Sequence, residues 1–190
     1  MTFDVNSAIG WPWAAVALVW LAGVVPTKRT VRSQSSGSRL FQLLVFMLGF
    51  GLMIRRWLPY GWLNVRFASD RYGIALAGLA LTIIGCAFAI WARITLGGNW
   101  SGRATVKAEH ELITTGPYAV ARHPIYTGLL LALAGTALAG GEWRHVIGFI
   151  VVLFGMLAKM SQEERLMVQA FPAAYPRYRQ RVKALIPGVL

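Results

Sequence analysis

The chain has 190 residues, of which 56% are hydrophobic and only 14% are charged. A soluble domain carries about 25% charged residues, so this composition excludes an ordinary soluble domain and predicts a membrane protein. The net charge of +12 comes from basic residues clustered between apolar segments, which favours contact with anionic lipid headgroups over nucleic acid binding. Cys86 is the one cysteine, so an internal disulfide is excluded.

Five apolar segments predict an all-α, polytopic integral membrane protein with about five transmembrane helices. They cover residues 9–25, 40–54, 72–92, 125–139 and 146–160. Only the third exceeds 20 residues, the length at which a helix crosses about 30 Å of hydrocarbon. The second segment either crosses or turns back inside the membrane, and we expect it to cross.

The distribution of basic residues predicts an orientation and a division into two parts. An N-terminus outside places the first loop, the third loop and the tail, with 14 of the 19 basic residues, on the cytoplasmic side. The short loops fit a bacterial cytoplasmic membrane, and the alternative is an internal eukaryotic membrane. We expect residues 1–71 to form two helices with basic loops. Residues 72–190 are then the core, with a loop at 93–124 and a tail at 161–190.

Small residues repeat along the third and fourth apolar segments at spacings of four, three and four. Such stripes let helix backbones approach closely in lipid, so we expect these two helices to pack along them. The stripes are Gly78, Thr82, Gly85 and Ala89, and Gly128, Ala132, Gly135 and Ala139.

Arg122 and His123 stand at the start of the fourth apolar segment, in the stretch GPYAVARHPIYTG at 116–128. Pro124 suits the first position of a helix, where its missing N–H is not needed. A helix N-terminus flanked by arginine and histidine is suited to a carboxylate or a phosphate. The alternative is that both side chains are ordinary flanking groups, with Arg122 reaching lipid headgroups.

Glu163 and Glu164 lie at the polar end of the fifth apolar segment. Adjacent side chains on a helix point about 100° apart, so the two carboxylates cannot address one atom in the same way. One of them could face a ligand while the other pairs with Arg122 or Arg165. The alternative is that both are merely solvated.

A longer motif joins these features. It reads H-x-L-x-x-x-G-P-Y-x-x-x-R-H-P-x-Y-x-G from His110, followed by a helical hairpin, the two glutamates, Phe171, Y-x-x-Y, a valine and a late proline. Over residues 93–187 this order resembles the isoprenylcysteine carboxyl methyltransferases, in a wider group that includes phospholipid amine methyltransferases. The sequence Pro-Ala-Ala after Phe171 departs from the glycine and polar residues usual there, on the side expected to meet the acceptor.

The resemblance implies an integral membrane methyltransferase that uses S-adenosylmethionine and releases S-adenosylhomocysteine. Its pocket is expected from the loop before the fourth segment, the start of that segment and the tail. The residues implied on the adenosine side are His110, Leu112, Gly116, Pro117 and Tyr118. Those implied near the methionine moiety are Arg122, His123 and Tyr126, with Glu163 or Glu164 on its ammonium group.

The resemblance also implies the chemistry. The catalytic residues expected are Arg122, Tyr126, Glu164 and Arg181, with Arg179 or Arg181 holding an acceptor carboxylate. No metal is expected, because the three histidines at 110, 123 and 145 lack ligand spacing. An ionised carboxylate acceptor needs no general base, whereas an amine acceptor needs a glutamate or a tyrosine as its base.

The implied reaction is O-methylation of a membrane-embedded amphiphile, such as a prenylated substrate with an isoprenylcysteine-type carboxylate. Three alternatives stay open. They are N-methylation of a phospholipid amine headgroup, an NADPH-dependent sterol-type reductase, and a scaffold whose basic loops bind anionic lipid.

Overall fold

Apolar helices dominate the computed structural model, which describes residues 5–23, 30–33, 36–54, 61–67, 71–99, 105–107, 112–186 and 188. The α-helices are α1 (Val5–Ala8), α2 (Gly10–Ala22), α3 (Ser36–Ile54), α4 (Arg71–Leu96), α5 (Pro124–Gly140), α6 (Trp143–Ala170) and α7 (Ala174–Arg181). Short 3-10 helices cover Gly61–Asn64, Gly97–Asn99 and Gly116–Ala119. The predicted all-α membrane class is confirmed.

Three of the described helices are long and apolar enough to cross a membrane, in the ranges Gly37–Ile54, Tyr72–Leu96 and Trp143–Ala170. The second apolar segment is therefore long enough to cross, as expected, because its helix begins four residues early at Ser36. The first and fourth segments form shorter apolar helices, Gly10–Ala22 and Pro124–Gly140. With 17 residues, α5 is about 26 Å long, slightly less than the hydrocarbon thickness.

Helices α4 and α5 pack backbone to backbone along the two predicted stripes, which confirms that prediction. A Cβ atom at Gly78 would lie 2.5 Å from the Gly135 oxygen, so no larger residue fits there without a shift. Thr82 is buried between the helices, and its hydroxyl donates to the Gly78 oxygen at 2.9 Å. The close approach fixes α4 and α5 as a rigid pair.

The other helices pack around this pair. Helix α2 lies against it, and the indole N–H of Trp13 donates to the Thr136 hydroxyl at 3.0 Å. Helix α3 packs on α6, where Gly49 lies against Gly148 and Val152. At the other end of α3, the Ser38 hydroxyl donates to Gln162 at 2.9 Å.

Two short strands add a feature that the sequence pattern did not predict. β1 (Thr30–Ser33) pairs antiparallel with β2 (Thr105–Lys107), and Ser33 stands opposite Thr105. The pairing joins the loop after α2 to the loop after α4, and β2 also contacts α6. The expected N-terminal part thus contributes backbone to the same end of the bundle as the expected functional loop.

The turn between α5 and α6 closes the opposite end. Gly141 adopts a left-handed conformation with φ of 66°, which favours glycine. Arg144 is 3% exposed and pairs with Glu142 at 2.6 Å. Its Nη1 donates to the oxygens of Leu52 and Met53 at 3.0 and 3.1 Å, so it caps the end of α3.

Candidate functional site

The start of α5 is held by a segment far along the chain. The backbone N–H groups of Arg122 and His123 donate hydrogen bonds to the backbone carbonyl oxygens of Lys183 and Ala184, at 2.8 and 2.9 Å respectively. The Tyr178 hydroxyl donates a hydrogen bond to the backbone carbonyl oxygen of Tyr118 at 2.5 Å. Residues 178–185, which we call the docked tail, therefore occupy donors that the sequence left open for an anionic ligand.

Arg122 joins α5, α6 and the docked tail. Its Nε and Nη2 donate to Glu164 Oε1 at 2.9 and 2.5 Å, and its Nη1 donates to the Val182 oxygen at 2.5 Å and the Arg179 oxygen at 3.3 Å. The side chains of Arg122 and Glu164 are only 7% and 13% exposed. The sequence predicted that one of the two glutamates pairs with Arg122 or Arg165, and the pair of Arg122 with Glu164 is confirmed. Its guanidinium nitrogens are all engaged within the protein.

Glu163 faces a different set of groups. The Tyr126 hydroxyl donates to Glu163 Oε1 at 2.6 Å. The other oxygen, Oε2, lies 3.8 Å from His123 Nδ1. Lys159 Nζ lies 3.9 Å from Oε1 and 5.5 Å from the centroid of the Tyr126 ring. Glu163 thus makes one close hydrogen bond and keeps an oxygen that can accept another.

Sequence reasoning did not include Lys159 among the site residues. Its spacing from Glu163 is four residues, which places both side chains on one face of α6. A lysine one turn before a glutamate at the end of an apolar helix was the signal that could have found it.

His123 lies between the two carboxylates. Its Nε2 is 3.4 Å from Glu164 Oε1, and its ring stacks on that of Tyr126 at a centroid distance of 5.5 Å and an angle of 3°. The His123 side chain is 9% exposed. The ring therefore connects the Arg122–Glu164 pair to the Tyr126–Glu163 pair.

A cavity of about 470 Å³ lies beside Glu164, between α6 and α7. Its lining residues are Ser161, Glu164, Arg165, Val168, Gln169 and Arg179. Arg179 Nε is 3.6 Å from Glu164 Oε2. The volume falls within the roughly 300–1,000 Å³ that small-molecule sites occupy.

The remaining predicted site residues have different surroundings. Pro117 and Tyr118 are buried, and Tyr118 packs with Ala92 and Ile125. Gly116 has a φ of 59°, and Leu112 is half-buried. His110 lies outside the described residues. The cofactor roles of all five stay predictions.

Arg181 and Arg179 differ although they share α7. Arg181 is exposed and makes no hydrogen bond or ion pair with any residue the structure describes. Arg179 is the tail arginine that reaches Glu164. The part expected of Arg181 in holding an acceptor stays a prediction.

The tyrosines around the docked tail are held neutral. Burial raises the pKa of Tyr178 to about 12, an increase that nearby Arg122 partly offsets. Burial also raises the pKa of Tyr118 and of Tyr175, helped by the charges of Glu163 and Glu164 respectively. Near neutral pH these three phenols are therefore hydrogen-bond donors and not bases.

Within the described ranges, no group of three or more histidine, cysteine, aspartate or glutamate side chains could hold a metal ion. The ionisable groups at this end, Arg122, His123, Lys159, Glu163 and Glu164, instead form a mixed cluster, which we call the ionic cluster. An apolar helical bundle with such a cluster at one end defines a polytopic membrane protein with a polar site near one membrane surface.

Comparison with known proteins supports the family that the sequence motif resembles. Residues 78–169, just under half of the chain, match the model of the isoprenylcysteine carboxyl methyltransferase (ICMT) family. The matched range runs through α4, α5 and most of α6, so it contains the whole ionic cluster. The predicted resemblance is confirmed.

The relatives that match this chain include named methyltransferases and metal-resistance proteins. The chain is 33% identical over 123 residues to protein-S-isoprenylcysteine O-methyltransferase B of Arabidopsis thaliana, covering 63% of this chain and 62% of the relative. It is 34% identical over 80 residues to the Schizosaccharomyces pombe protein-S-isoprenylcysteine O-methyltransferase, covering 42% and 34%. It is also 27% identical over 116 residues to the cobalt-zinc-cadmium resistance protein CzcN of Cupriavidus metallidurans, covering 60% and 48%. The chain spans about three fifths of the length of the plant relatives it matches.

Proposed function

We propose that this protein transfers a methyl group from S-adenosylmethionine to the carboxylate of a membrane-embedded amphiphile of the isoprenylcysteine type. The match to the family model supports methyl transfer, and the relatives from plants and yeasts are named for this acceptor. The single observation that carries the proposal is the meeting of α5 and α6 at the ionic cluster, where Tyr126 and His123 surround a partly open Glu163.

The ionic cluster fits the amino acid end of this cofactor, which carries an ammonium and a carboxylate. Glu163 Oε2 has its nearest basic group, His123 Nδ1, at 3.8 Å, so it can accept a hydrogen bond from an ammonium group. Glu164 suits that purpose less, because arginines adjoin both of its oxygens. We assign the ammonium to Glu163 and the carboxylate to His123 and Lys159.

The other site residues are proposed to support the cofactor indirectly or to bind its adenosine part. Arg122 acts as a positioning residue that holds Glu164 and the docked tail in place. We propose that the adenosine side is formed by the loop that precedes α5. The residues proposed there are His110, Leu112, Gly116, Pro117 and Tyr118.

When bound, S-adenosylmethionine supplies an electrophilic methyl group on a sulfonium. The protein's contribution to the reaction is then to align the acceptor and exclude water, because a carboxylate acceptor is already ionised. The Tyr126 hydroxyl is oriented by its hydrogen bond to Glu163, and its ring offers a face to a cation. An amine acceptor would need Glu163 or Tyr126 as its base.

We further propose that the site faces the cytoplasm of a bacterium, with the N-terminus outside. The support is the sequence-based assignment of 14 of the 19 basic residues to the first loop, the third loop and the tail. Residues 72–190 would be the methyltransferase core, and residues 1–71 would add two helices around it.

A binding experiment tests the class of enzyme. Detergent-purified protein is titrated with S-adenosylmethionine, S-adenosylhomocysteine and NADPH by calorimetry. We expect the first two to bind and NADPH not to bind. Binding of NADPH alone would identify a reductase, and binding of none would favour the lipid-binding scaffold.

The acceptor is tested with a radiolabelled methyl donor supplied with farnesylated cysteine or with phospholipids. A methyl ester product loses its label in base, whereas a methylated amine keeps it. We expect a base-labile product from the farnesylated cysteine. A base-stable lipid product would overturn the assignment of the acceptor.

Glu163→Gln tests the assigned role in cofactor binding. We expect the affinity for S-adenosylhomocysteine to fall roughly ten- to hundred-fold, because the substitution removes the charge that pairs with the ammonium. The matched control is Glu142→Gln at the opposite end, which should lower stability and leave the affinity unchanged. Equal affinities in Glu163→Gln and the unmodified protein would contradict the assignment.

A further inference from the structure

The cavity beside Glu164 is separate from the contacts assigned to the cofactor. Five of its six lining residues come from one end of α6, and the sixth is Arg179 of α7. Glu164 belongs to both regions, because Oε1 faces Arg122 and His123 while Oε2 faces Arg179. A group bound in the cavity would therefore lie one side chain away from the ionic cluster.

The cavity has the charge that attracts an anion. Arg122 neutralises Glu164 at 2.5 Å, which leaves Arg165 and Arg179 as the net charge of the lining. The Arg179 side chain is 58% exposed, and among the described residues its one charged contact is with Glu164 at 3.6 Å. Arg165 is exposed and has no hydrogen bond or ion pair within the described ranges. Both guanidinium groups keep donors for a carboxylate.

An apolar track leads to this cavity along one face of α6. Ile150 and Phe154 are 42% and 66% exposed, and Leu157 continues their row at helical spacing. The same row runs on through Ser161 and Arg165 in the cavity lining. An amphiphile in the membrane could therefore lay its chain on this track and its head in the cavity.

The height of the cavity along α6 agrees with this arrangement. The helix has 28 residues and is about 42 Å long, which exceeds the roughly 30 Å of hydrocarbon. Counted from Trp143, about 30 Å of rise ends near Glu163, next to Ser161 and Glu164 in the lining. The cavity then lies where the head of a membrane amphiphile meets water.

We propose that Arg165 and Arg179 form the subsite that binds the anionic head of the methyl acceptor, with its hydrocarbon chain along Ile150, Phe154 and Leu157. The inference rests on the proposed function, and it adds to that function the residues that recognise the acceptor. It selects Arg179, together with Arg165, over Arg181 as the arginine that recognises the acceptor.

The test measures binding of two probes to the full-length protein in nanodiscs of neutral lipid. One probe is N-acetyl-S-farnesylcysteine with a free carboxylate, and the other is its methyl ester. We expect the ester to bind roughly ten-fold more weakly, because it offers no charge to the guanidinium groups. Arg165→Gln and Arg179→Gln should each lower the affinity for the free acid by a similar factor and leave the affinity for the ester unchanged.

Matched controls separate charge recognition from general damage. Arg177→Gln removes an exposed charge from another face of α7 and should bind both probes like the unmodified protein. S-adenosylhomocysteine affinity should be retained in all three variants. Equal loss of both probes, or unchanged binding of the free acid in Arg165→Gln and Arg179→Gln, would overturn the inference.

A third probe distinguishes an acceptor from a structural lipid. Phosphatidylglycerol added to the nanodiscs should not displace the farnesylated acid at equal concentration. Full displacement that depends on both arginines would identify a lipid site and overturn the inference. If the unmodified protein fails to bind S-adenosylhomocysteine but still separates acid from ester through these arginines, the proposed function fails while the anionic-head site stands.

Discussion

The two ends of the bundle each bury an arginine–glutamate pair, and the two pairs differ in what surrounds them. Arg144 and Glu142 are two residues apart and close the turn between α5 and α6. Arg122 and Glu164 are 42 residues apart and join α5, α6 and the docked tail. Burial is similar, since the side chains of Arg144 and Arg122 are 3% and 7% exposed.

The surroundings distinguish the Arg144–Glu142 pair, which closes a turn, from the Arg122–Glu164 pair at the proposed site. Arg144 directs Nη1 to carbonyl oxygens at the end of α3, so its pair completes a helix terminus. The partner of Arg122, Glu164, also contacts His123 and Arg179 and borders a cavity. A buried ion pair alone is therefore a poor indicator of a site. Several ionisable groups with unused hydrogen-bonding capacity are a better one.

Arg144→Ala should have the largest effect on stability. It leaves Glu142 without its partner and two α3 carbonyl oxygens without their donor, so we expect the free energy of unfolding to fall by about 3–5 kcal/mol. Reversible unfolding in sodium dodecyl sulfate measures the change. The folded fraction should keep its affinity for S-adenosylhomocysteine. A variant that unfolds like the unmodified protein but no longer binds S-adenosylhomocysteine would contradict the structural role given to Arg144.

Arg122→Ala should have a smaller and more local effect. It releases the Glu164 carboxylate and the Val182 oxygen, so we expect the docked tail to be destabilised by about 1–3 kcal/mol. Limited trypsin digestion reports this as faster cleavage at the tail arginines, with a loss of S-adenosylhomocysteine affinity. Arg122→Lys should give a cleavage rate between those of Arg122→Ala and the unmodified protein, because lysine keeps the positive charge but lacks the several N–H donors of the planar guanidinium group. Unchanged cleavage in Arg122→Ala would contradict the role given to Arg122.

Alkaline pH should have the smallest effect of the three changes, and it should act on the docking of the tail through Tyr178. The folded protein holds the Tyr178 proton more tightly, with a pKa of about 12 against the ordinary value of 10. Its contribution to tail docking is thus full below pH 10 and is lost as the pH rises to 12. The difference in trypsin cleavage between the unmodified protein and Tyr178→Phe should shrink across that window. Tyr72→Phe, at an exposed tyrosine, is the matched control and should leave the pH profile unaltered.

Local patterns predicted much of the fold. The small-residue stripes of α4 and α5 follow helical spacing, so their packing could be inferred from one sequence. The meeting of Arg122 with Glu164 could be anticipated because both lie at helix ends expected on the same side. The end of α2 at Ala22, three residues before the first apolar segment ends, could not be inferred, because hydropathy does not fix where a helix begins or ends.

The parts that sequence reasoning missed depend on long-range contacts. Whether Arg179 or Arg181 reaches Glu164 depends on the rotation of α7, which an eight-residue helix with three arginines does not specify. The engagement of the start of α5 by the oxygens of Lys183 and Ala184 involves only backbone atoms and leaves no residue pattern. The same holds for the β1–β2 pairing.

The docked tail has a consequence for biosynthesis. Residues 182–185 are translated after all five apolar helices, yet they supply the acceptors for the backbone N–H groups of Arg122 and His123. Since chains fold progressively during synthesis, the helices can enter the bilayer in order while this end stays incomplete. The proposed site is then complete only after residues 182–185 have left the ribosome, so a nascent chain truncated before them should be inserted without these contacts.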